Sequence, residues 1–344
     1  LQYTKMKKHN QDIYRCPKDG SKLTLSLDSE IVDDKIISGV LTADCGETYH
    51  IDNGLPNFTW PKSLSEIDEH EREVYEKLAA EYDKYASIPF QTFKSDESEI
   101  RKQMIDKLNI NGNSVVLEVG CGDGRGAEHI ASRLGDEGKF YLQELSPAFL
   151  KNAIKRLQPF EDKTNLHYSI ASAMHLSFPD NYFDAAHHFG GLSTFSDVKQ
   201  CLKELVRVVK PGGKIVLGDE SMGNWLRDTD FGKIMMNSNP LFKYNIPFEE
   251  IPVEARNVKV EWIMMGAFFV LEFEVGTGEP EANYHINIPS ARGGNHWIRY
   301  HGNLEGVTDE TKKLAYEAIE KNGMSMHEWL DSLVKQAALK ELED

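Results

Sequence analysis

The stretch VVLEVGCGDGRGAEHIA, residues 115–131, runs from continuous apolar residues through Gly120, Gly122, Gly124 and Gly126 into an amphipathic segment. Such a run is a buried strand that turns into a helix through a backbone stripped of side chains. Glycines there let the main chain approach a ligand closely, and the first N–H groups of the following helix are left facing it. The same texture continues. SVVLEVG, AEHIASRL, KFYLQEL, SPAFLKNAIKRL, LHYSIA, YFDAAHHF, DVKQCLKELVRVV and GKIVLGDE alternate strand and helix signals from Asn113 to Gly218 and slightly beyond. Alternation of this kind implies parallel strands joined by crossover helices, hence an α/β fold with a doubly wound, mostly parallel sheet. Local punctuation agrees: Ser146 stands as a helix cap before Pro147, and KPGGK stops a helix before the next strand.

Around this centre the sequence divides into further zones. Residues 1–62 read as a small β module of short runs (KLTLSL, KIISGVLTA, TYHI) closing at NGLPNFTWP. The central domain spans 63–276 and opens on a charged stretch in which Tyr75, Leu78, Ala79, Tyr82, Tyr85 and Ala86 are spaced along one helix face. An insertion at about 222–253 is rich in aromatic residues and methionine. NVKVEWIMMGAFFVLEFEVG then reads as an antiparallel hairpin about Gly266, and 277–344 as a loop followed by helices, the last opened by the capping box Ser325 to Glu328. Met6, followed by KKHNQ, reads as a translation start, so LQYTK is kept out of the fold reading.

Charge and cysteine usage narrow the partners. A formal net charge of −16 over 344 residues disfavours a protein that tracks phosphates, so no nucleic-acid partner is expected. Four cysteines, no signal peptide and no apolar run of about 18 residues lead to the expectation of a cytoplasmic protein without a membrane span. The tail segments LAYEAI and WLDSLV have apolar faces that either pair subunits in a homodimer or cover the sheet.

Two acids decide what the glycine turn holds. By itself the turn can be forced onto a dinucleotide pattern through Gly122, Gly124 and Ala127. Glu118, however, sits in the strand just before the turn, where an acid repels phosphate and accepts hydrogen bonds from an ammonium through bridging water. Glu144 closes the next strand, 22 residues after Gly122, the separation of a carboxylate that holds a ribose diol. A cationic amino-acid end beside Glu118 and a ribose beside Glu144 describe S-adenosylmethionine better than NAD. At this point the chain resembles the class I S-adenosylmethionine-dependent methyltransferases, in particular the small-molecule branch with the quinone C-methylases. The resemblance covers about Tyr75 to Gly276 and rests on VLEVGCGDGRG, QELSPAFL, SIASAMHLSFPDNYFDAAHHF and LKELVRVVKPGGKIVLGDES in order. It implies a seven-stranded sheet with an antiparallel C-terminal hairpin. It also implies that Gly120, Gly122 and Gly124 line the methionine and ribose, with Glu118, Cys121, Leu145 and His187 beside them. Glu144 would bind both ribose hydroxyls, and Ser172, Ala173 and Met174 would flank adenine, Ser172 standing where the family often has Asp.

Methyl transfer from a sulfonium is an in-line displacement, so the protein has to align the acceptor and, for O, N or C nucleophiles, remove a proton. His187 and His188 end the strand that the resemblance places beside the reactive methyl, and alternation allows one of them to face the site. The competing reading is one packed histidine and one cofactor-wall histidine. Asp219 and Glu220 follow the next strand, as a base or as ordinary loop charges. For the acceptor, Trp225, Phe231 and Tyr244 are candidate roof residues, and SARGGNHWIRYHGN offers Arg292, His296 and Arg299 to clamp a polar group. Core packing and a structural loop are the respective alternatives. The N-terminal YRCPKDG and TADCGETYHIDNGLPNF resemble a short zinc-ribbon module seen on ribosomal-RNA guanine methyltransferases and on small methyltransferase-activating proteins. Asp19 and Thr42 occupy its two missing cysteine positions, so a ribbon held by β packing, without metal from Cys16, Cys45, Asp19 and His50, is expected. The leading expectation is methyl transfer to a small, hydrophobic or aromatic metabolite. An RNA base methyltransferase and a non-catalytic cofactor-binding or activating partner protein are the alternatives.

Overall fold

The computed structural model describes residues 6–290, 293–302, 304 and 306–343. The chain divides into two compact units, one reaching to Pro280 and one from Glu281 onward. The first unit begins with a small antiparallel sheet of β1 (Leu23–Leu25), β2 (Glu30–Val32), β3 (Lys35–Ala43), β4 (Thr48–Asp52) and β5 (Leu55–Pro56). Both β1 and β4 flank β3, β5 follows β4, and β2 pairs with β3. Three helices come next: α1 (Glu66–Leu78), α2 (Ile88–Thr92) and α3 (Glu97–Asp106). The helix face expected to run from Tyr75 to Ala86 is therefore broken after Ala79. Tyr75 and Tyr82 nevertheless both pack edge-on against Phe149, at 5.4 and 4.8 Å between ring centroids, so the apolar spacing survives although the helix does not.

The central sheet then alternates with helices: β6 (Val115–Val119), α4 (Arg125–Ala131), β7 (Lys139–Glu144), α5 (Pro147–Leu157), β8 (Asn165–Ile170), β9 (Phe183–Phe189), α6 (Val198–Val208) and β10 (Val209–Glu220). After α7 (Asp230–Ser238) the hairpin β11 (Ala255–Ile263) and β12 (Phe268–Val275) completes seven strands in the order β11-β12-β10-β9-β6-β7-β8. Strands β8, β7, β6, β9 and β10 are parallel, whereas β12 lies antiparallel to β10 and β11 to β12. The order reverses at β6 and β9, and a doubly wound sheet opens its ligand crevice at such a reversal, beyond the carboxyl ends of the strands. Helices cover both faces of the parallel strands, which is why VVLEV reads as continuous rather than alternating: only Val115 of β6 escapes full burial. Ser146 caps α5 by accepting from the Phe149 N–H at 3.3 Å, and Asp197 caps α6 by accepting from Gln200 N–H at 2.9 Å.

The small sheet is joined to the central one. The Phe58 N–H donates to the Ile170 carbonyl at 2.7 Å, and Asn57 bridges Ile170 in parallel, so the linker occupies the otherwise open edge of β8. Beneath it Tyr14 packs on Phe58 and Phe178 with ring centroids 4.6 and 5.5 Å apart, and Tyr141 meets Tyr14 at 6.4 Å. Burying Phe58 completely stabilises this junction by about 1.5–3 kcal/mol.

The second unit holds α8 (His296–His301), α9 (Asp309–Asn322) and α10 (Met326–Glu343), with Ala315, Ile319 and Met326 in a core of its own. The capping box opens α10 as expected: Ser325 N–H donates to the Glu328 carboxylate at 2.9 Å, and Glu328 N–H to Ser325 Oγ at 3.3 Å.

Candidate active site

A cleft partly open to solvent, with a cavity volume of about 190 Å³, lies in the first unit at the carboxyl ends of β6, β7, β9 and β10. Its floor is the turn from β6 to α4. Gly120 adopts φ +58°, and a Cβ there would stand 3.1 Å from the His188 ring. Gly126 is required for a different reason, since a Cβ would lie 2.8 Å from Glu118 Oε1. The left-handed conformation costs an L-residue about 1–2 kcal/mol. Gly120→Ala is accordingly expected to lower the unfolding free energy by at least that amount in urea titrations, and to displace the His188 ring.

Glu118 and Glu144 occupy the two sides of this floor, and both line the cleft. Glu118 is only 4% exposed. Its in-register neighbour across the sheet is His187, whose Nδ1–H donates to Glu118 Oε1 at 3.0 Å, while Oε2 has no protein partner. Glu144 accepts from the Gly122 N–H through Oε2 and from the Ser146 N–H through Oε1, both at 2.9 Å. Loss of solvent pushes the Glu144 carboxyl above its ordinary value, opposed by the N–H groups of Ser146, Gly122 and Leu145. The turn itself is held from outside. Arg156 donates to the Asp123 carbonyl and carboxylate, each at 2.9 Å, and Arg125 reaches Asp83, Glu97 and Asp123.

The remaining cofactor candidates fall out as follows. Gly120, Cys121, Gly122, Leu145, Ser172, Ala173 and Met174 line the cleft. Gly124 is the residue before α4, packed against Ala153, and His187 stands behind Glu118; neither is on the wall. Burial and the nearby carboxylates Glu144, Glu118 and Asp123 push the Cys121 thiol well up, so it stays protonated and is no nucleophile. Ser172 is buried; its Oγ accepts from the Met174 N–H at 3.3 Å and donates to the Met174 Sδ at 4.0 Å.

The two adjacent histidines take different roles. His188 lines the cleft, and its Nδ1 lies 2.8 Å from the Val119 carbonyl oxygen. A carbonyl only accepts, so Nδ1 carries the proton and Nε2 the lone pair; Nε2 is buried without a partner. Burial lowers the His188 pKa, keeping the ring neutral. Asp219 is fully buried and accepts from the Gly191 and Ser193 N–H groups at 2.9 and 2.6 Å, which orders the turn after β9. Its neighbour Glu220 is the one that reaches the cleft; burial, and the hydrogen bond and charge of the Asp219 carboxylate, push its carboxyl well up.

The insertion meets the cleft at Leu241, not at Trp225, Phe231 or Tyr244. Trp225 is exposed and edge-on to Trp262 at 5.3 Å, Phe231 packs in the cluster of Phe93 and Phe242, and Tyr244 is half-buried, its carbonyl accepting from Ser221 Oγ. None of these three side chains lines the cleft. His296 and Arg299 stand on α8 of the second unit, where Arg299 donates to Ser290 Oγ at 2.7 Å. Arg292 lies outside the described residues.

Several wall residues were not singled out from the sequence. Arg101 lies over the rings of Phe189 and Phe90, at 5.2 and 5.6 Å, and pairs with Glu97 at 2.9 Å. It lines the cleft close to Glu118, both groups flanking the space over Gly126. Asp68 accepts from Ser196 N–H and Oγ, and Glu76 from Ser146 Oγ and Ala148 N–H, so α1 is moored on both sides of the cleft. No residue type or spacing announces such contacts between remote elements.

The site tests well for an amino-acid nucleoside. A cradle that a Cβ would fill, an orphaned buried carboxylate oxygen on Glu118 and the paired acceptors of Glu144 are what S-adenosylmethionine requires. With the strand order, these features resemble those of a class I S-adenosylmethionine-dependent methyltransferase domain. More narrowly, residues 64–225 match the model of the ubiE/COQ5 methyltransferase family. Demethylmenaquinone methyltransferase of Lysinibacillus sphaericus is 34% identical over 149 residues, 43% of this chain and 61% of that protein. The Bacillus mycoides protein of the same name is 33% identical over 150 residues, again 43% and 61%. The chain thus spans less than two thirds of the length of these curated relatives. Among solved structures, the phosphoethanolamine N-methyltransferase 2 of Haemonchus contortus with S-adenosyl-L-methionine is similar at 14% identity and a TM-score of 0.47, covering 63% of this chain and 62% of that one. No described helix is long and apolar enough to cross a membrane.

Proposed function

We propose that the protein transfers a methyl group from S-adenosylmethionine to a small, hydrophobic or aromatic acceptor, of the quinol kind named for its demethylmenaquinone methyltransferase relatives. The observation that carries the reading is that Glu118 and Glu144 open on one cleft from opposite sides of the glycine turn, each with acceptor capacity left over. When bound, the sulfonium supplies the electrophilic methyl. Glu118 accepts from the amino group and Arg101 receives the carboxylate of the methionine end, an arrangement suited to a zwitterion. Glu144 fixes the ribose, and Phe149, with Tyr75 and Tyr82 against it, forms an apolar wall. His188 Nε2 would take the proton from the acceptor as the methyl is transferred in line, and Glu220, which lines the cleft, would stand beside the acceptor.

The test is incubation of the full chain with methyl-labelled S-adenosylmethionine and either a demethylated naphthoquinol, the lipid-soluble fraction of a cell extract, or total RNA. Label is expected in the quinol or lipid-soluble arm with stoichiometric S-adenosylhomocysteine. Labelled RNA alone would replace this reading by RNA methylation, and tight cofactor binding without turnover in any arm would leave a binding protein.

A further inference from the structure

Away from the cleft, the small N-terminal sheet brings two thiols and a carboxylate together. Cys16 Sγ lies 3.7 Å from Cys45 Sγ, and with one carboxylate oxygen of Asp19 the three atoms all fall within 4.8 Å of one another. We infer that the module binds a soft divalent cation of the Zn²⁺ class through Cys16, Cys45 and Asp19, contrary to the expectation from the missing cysteine positions.

The spacing is the first argument. Two thiolates at about 2.3 Å from a tetrahedral ion are about 3.8 Å apart, the edge of the tetrahedron, whereas a disulfide needs about 2.05 Å. The observed separation matches the first and not the second. Rigidity is the second argument. Each sulfur sits on a tight turn closed by its own backbone: Gly20 N–H donates to the Cys16 carbonyl at 2.8 Å and Cys16 N–H to the Ser21 carbonyl at 2.9 Å. On the facing turn the Gly46 N–H donates to the Ala43 carbonyl at 2.9 Å. An ion therefore enters without rearranging the chain.

Third, the ligands are held by hydrogen bonds from the surrounding residues. The Tyr49 hydroxyl lies 3.3 Å from Cys16 Sγ. Asp19 Oδ1 accepts from Ser21 N–H at 3.0 Å and Ser21 Oγ at 2.7 Å, which fixes the plane of the carboxylate, as outer hydrogen bonds do for metal-ligating groups. Cys16 is 1% exposed, while Cys45 and Asp19 face solvent, so the fourth position is open to water or an exchangeable ligand. His50 does not belong to the group. Two sulfurs select a thiophilic ion over Mg²⁺ or Ca²⁺.

Titration of the reduced full chain with Co²⁺ reads the site directly. A sulfur-to-cobalt charge-transfer band in the near ultraviolet and visible bands of tetrahedral Co²⁺ are expected, saturating at a single ion per chain and bleached by Zn²⁺. Cys45→Ser, at an exposed position that does not endanger folding, is expected to abolish the charge-transfer band, and Asp19→Ala to weaken Co²⁺ binding by about 10-fold or more. Zn²⁺ is also expected to raise the urea midpoint of the parent protein and not of Cys45→Ser. Absence of a sulfur-to-metal band in the reduced protein, or bands unchanged in Cys45→Ser, would overturn the inference.

Discussion

Replacing Glu144 by glutamine is expected to weaken S-adenosylmethionine binding by about 100-fold or more, read by titration calorimetry. The ribose diol loses two hydrogen bonds to a charged acceptor, each contributing about 1.5–3 kcal/mol, and every 1.4 kcal/mol is about a decade in affinity. The amide does further harm before any ligand arrives. Both carboxylate oxygens accept backbone N–H groups, one from Gly122 on the floor of the cleft and one from Ser146 at the start of α5. Whichever way an amide is turned, its NH₂ faces one of those donors. Glu144→Gln is thus predicted to bind no better than Glu144→Ala, the reverse of the usual ranking for an isosteric change, while Glu144→Asp, which keeps two acceptors, retains part of the affinity. Equal binding by Glu144→Gln and the parent would remove the ribose assignment.

How much of this was readable in the chain depends on whether a feature is local. The turn between β6 and α4 was, because glycines at alternate positions and acids at fixed offsets from them carry their geometry within one βαβ unit. So were the caps at Ser146 and Ser325, where donor and acceptor are three residues apart. The hairpin about Gly266 was readable for the same reason. Features that depend on remote backbone were not. Asp219 looked like a candidate base, yet its oxygens are taken by the N–H groups of Gly191 and Ser193, and a main-chain donor has no signature in the residue string. Periodicity failed instructively between Tyr75 and Tyr82, since it reports which side of a segment is apolar and not whether the hydrogen bonds between the turns continue. Arg101 was invisible inside the charged run ESEIRKQMID; only the docking of α3 beside α4 and over Phe189 gives it a place in the cleft. The insertion shows the converse error. Aromatic and methionine richness in residues 222–253 fits a substrate roof and a core equally, and here most of it forms the core around Phe93 and Phe268.

If His188 Nε2 takes the acceptor's proton as proposed, His188→Gln is expected to lower kcat by about 10²–10⁴-fold while changing the affinity for S-adenosylmethionine little. The argument rests on the tautomer. With Nδ1–H committed to the Val119 carbonyl, the ring of this cleft-lining residue carries its lone pair on Nε2, a buried atom without a protein partner. Glutamine can still reach a polar group with its amide, but it cannot accept a proton near neutral pH. The pH profile separates this role from packing. Burial holds the His188 pKa below its usual 6.5, so the base form persists as pH falls past that value and activity should decline only on a lower acid limb. Nearby charges push in both directions: Asp219 and Glu118 raise the value and His187 lowers it, with burial the largest effect. In His188→Gln the acid limb should vanish along with most of the rate, whereas a purely structural role would leave the limb in place and lower cofactor affinity instead. His187→Gln makes the complementary case. It acts through Glu118, 3.0 Å away, and is expected to raise the KM for S-adenosylmethionine more than it lowers kcat.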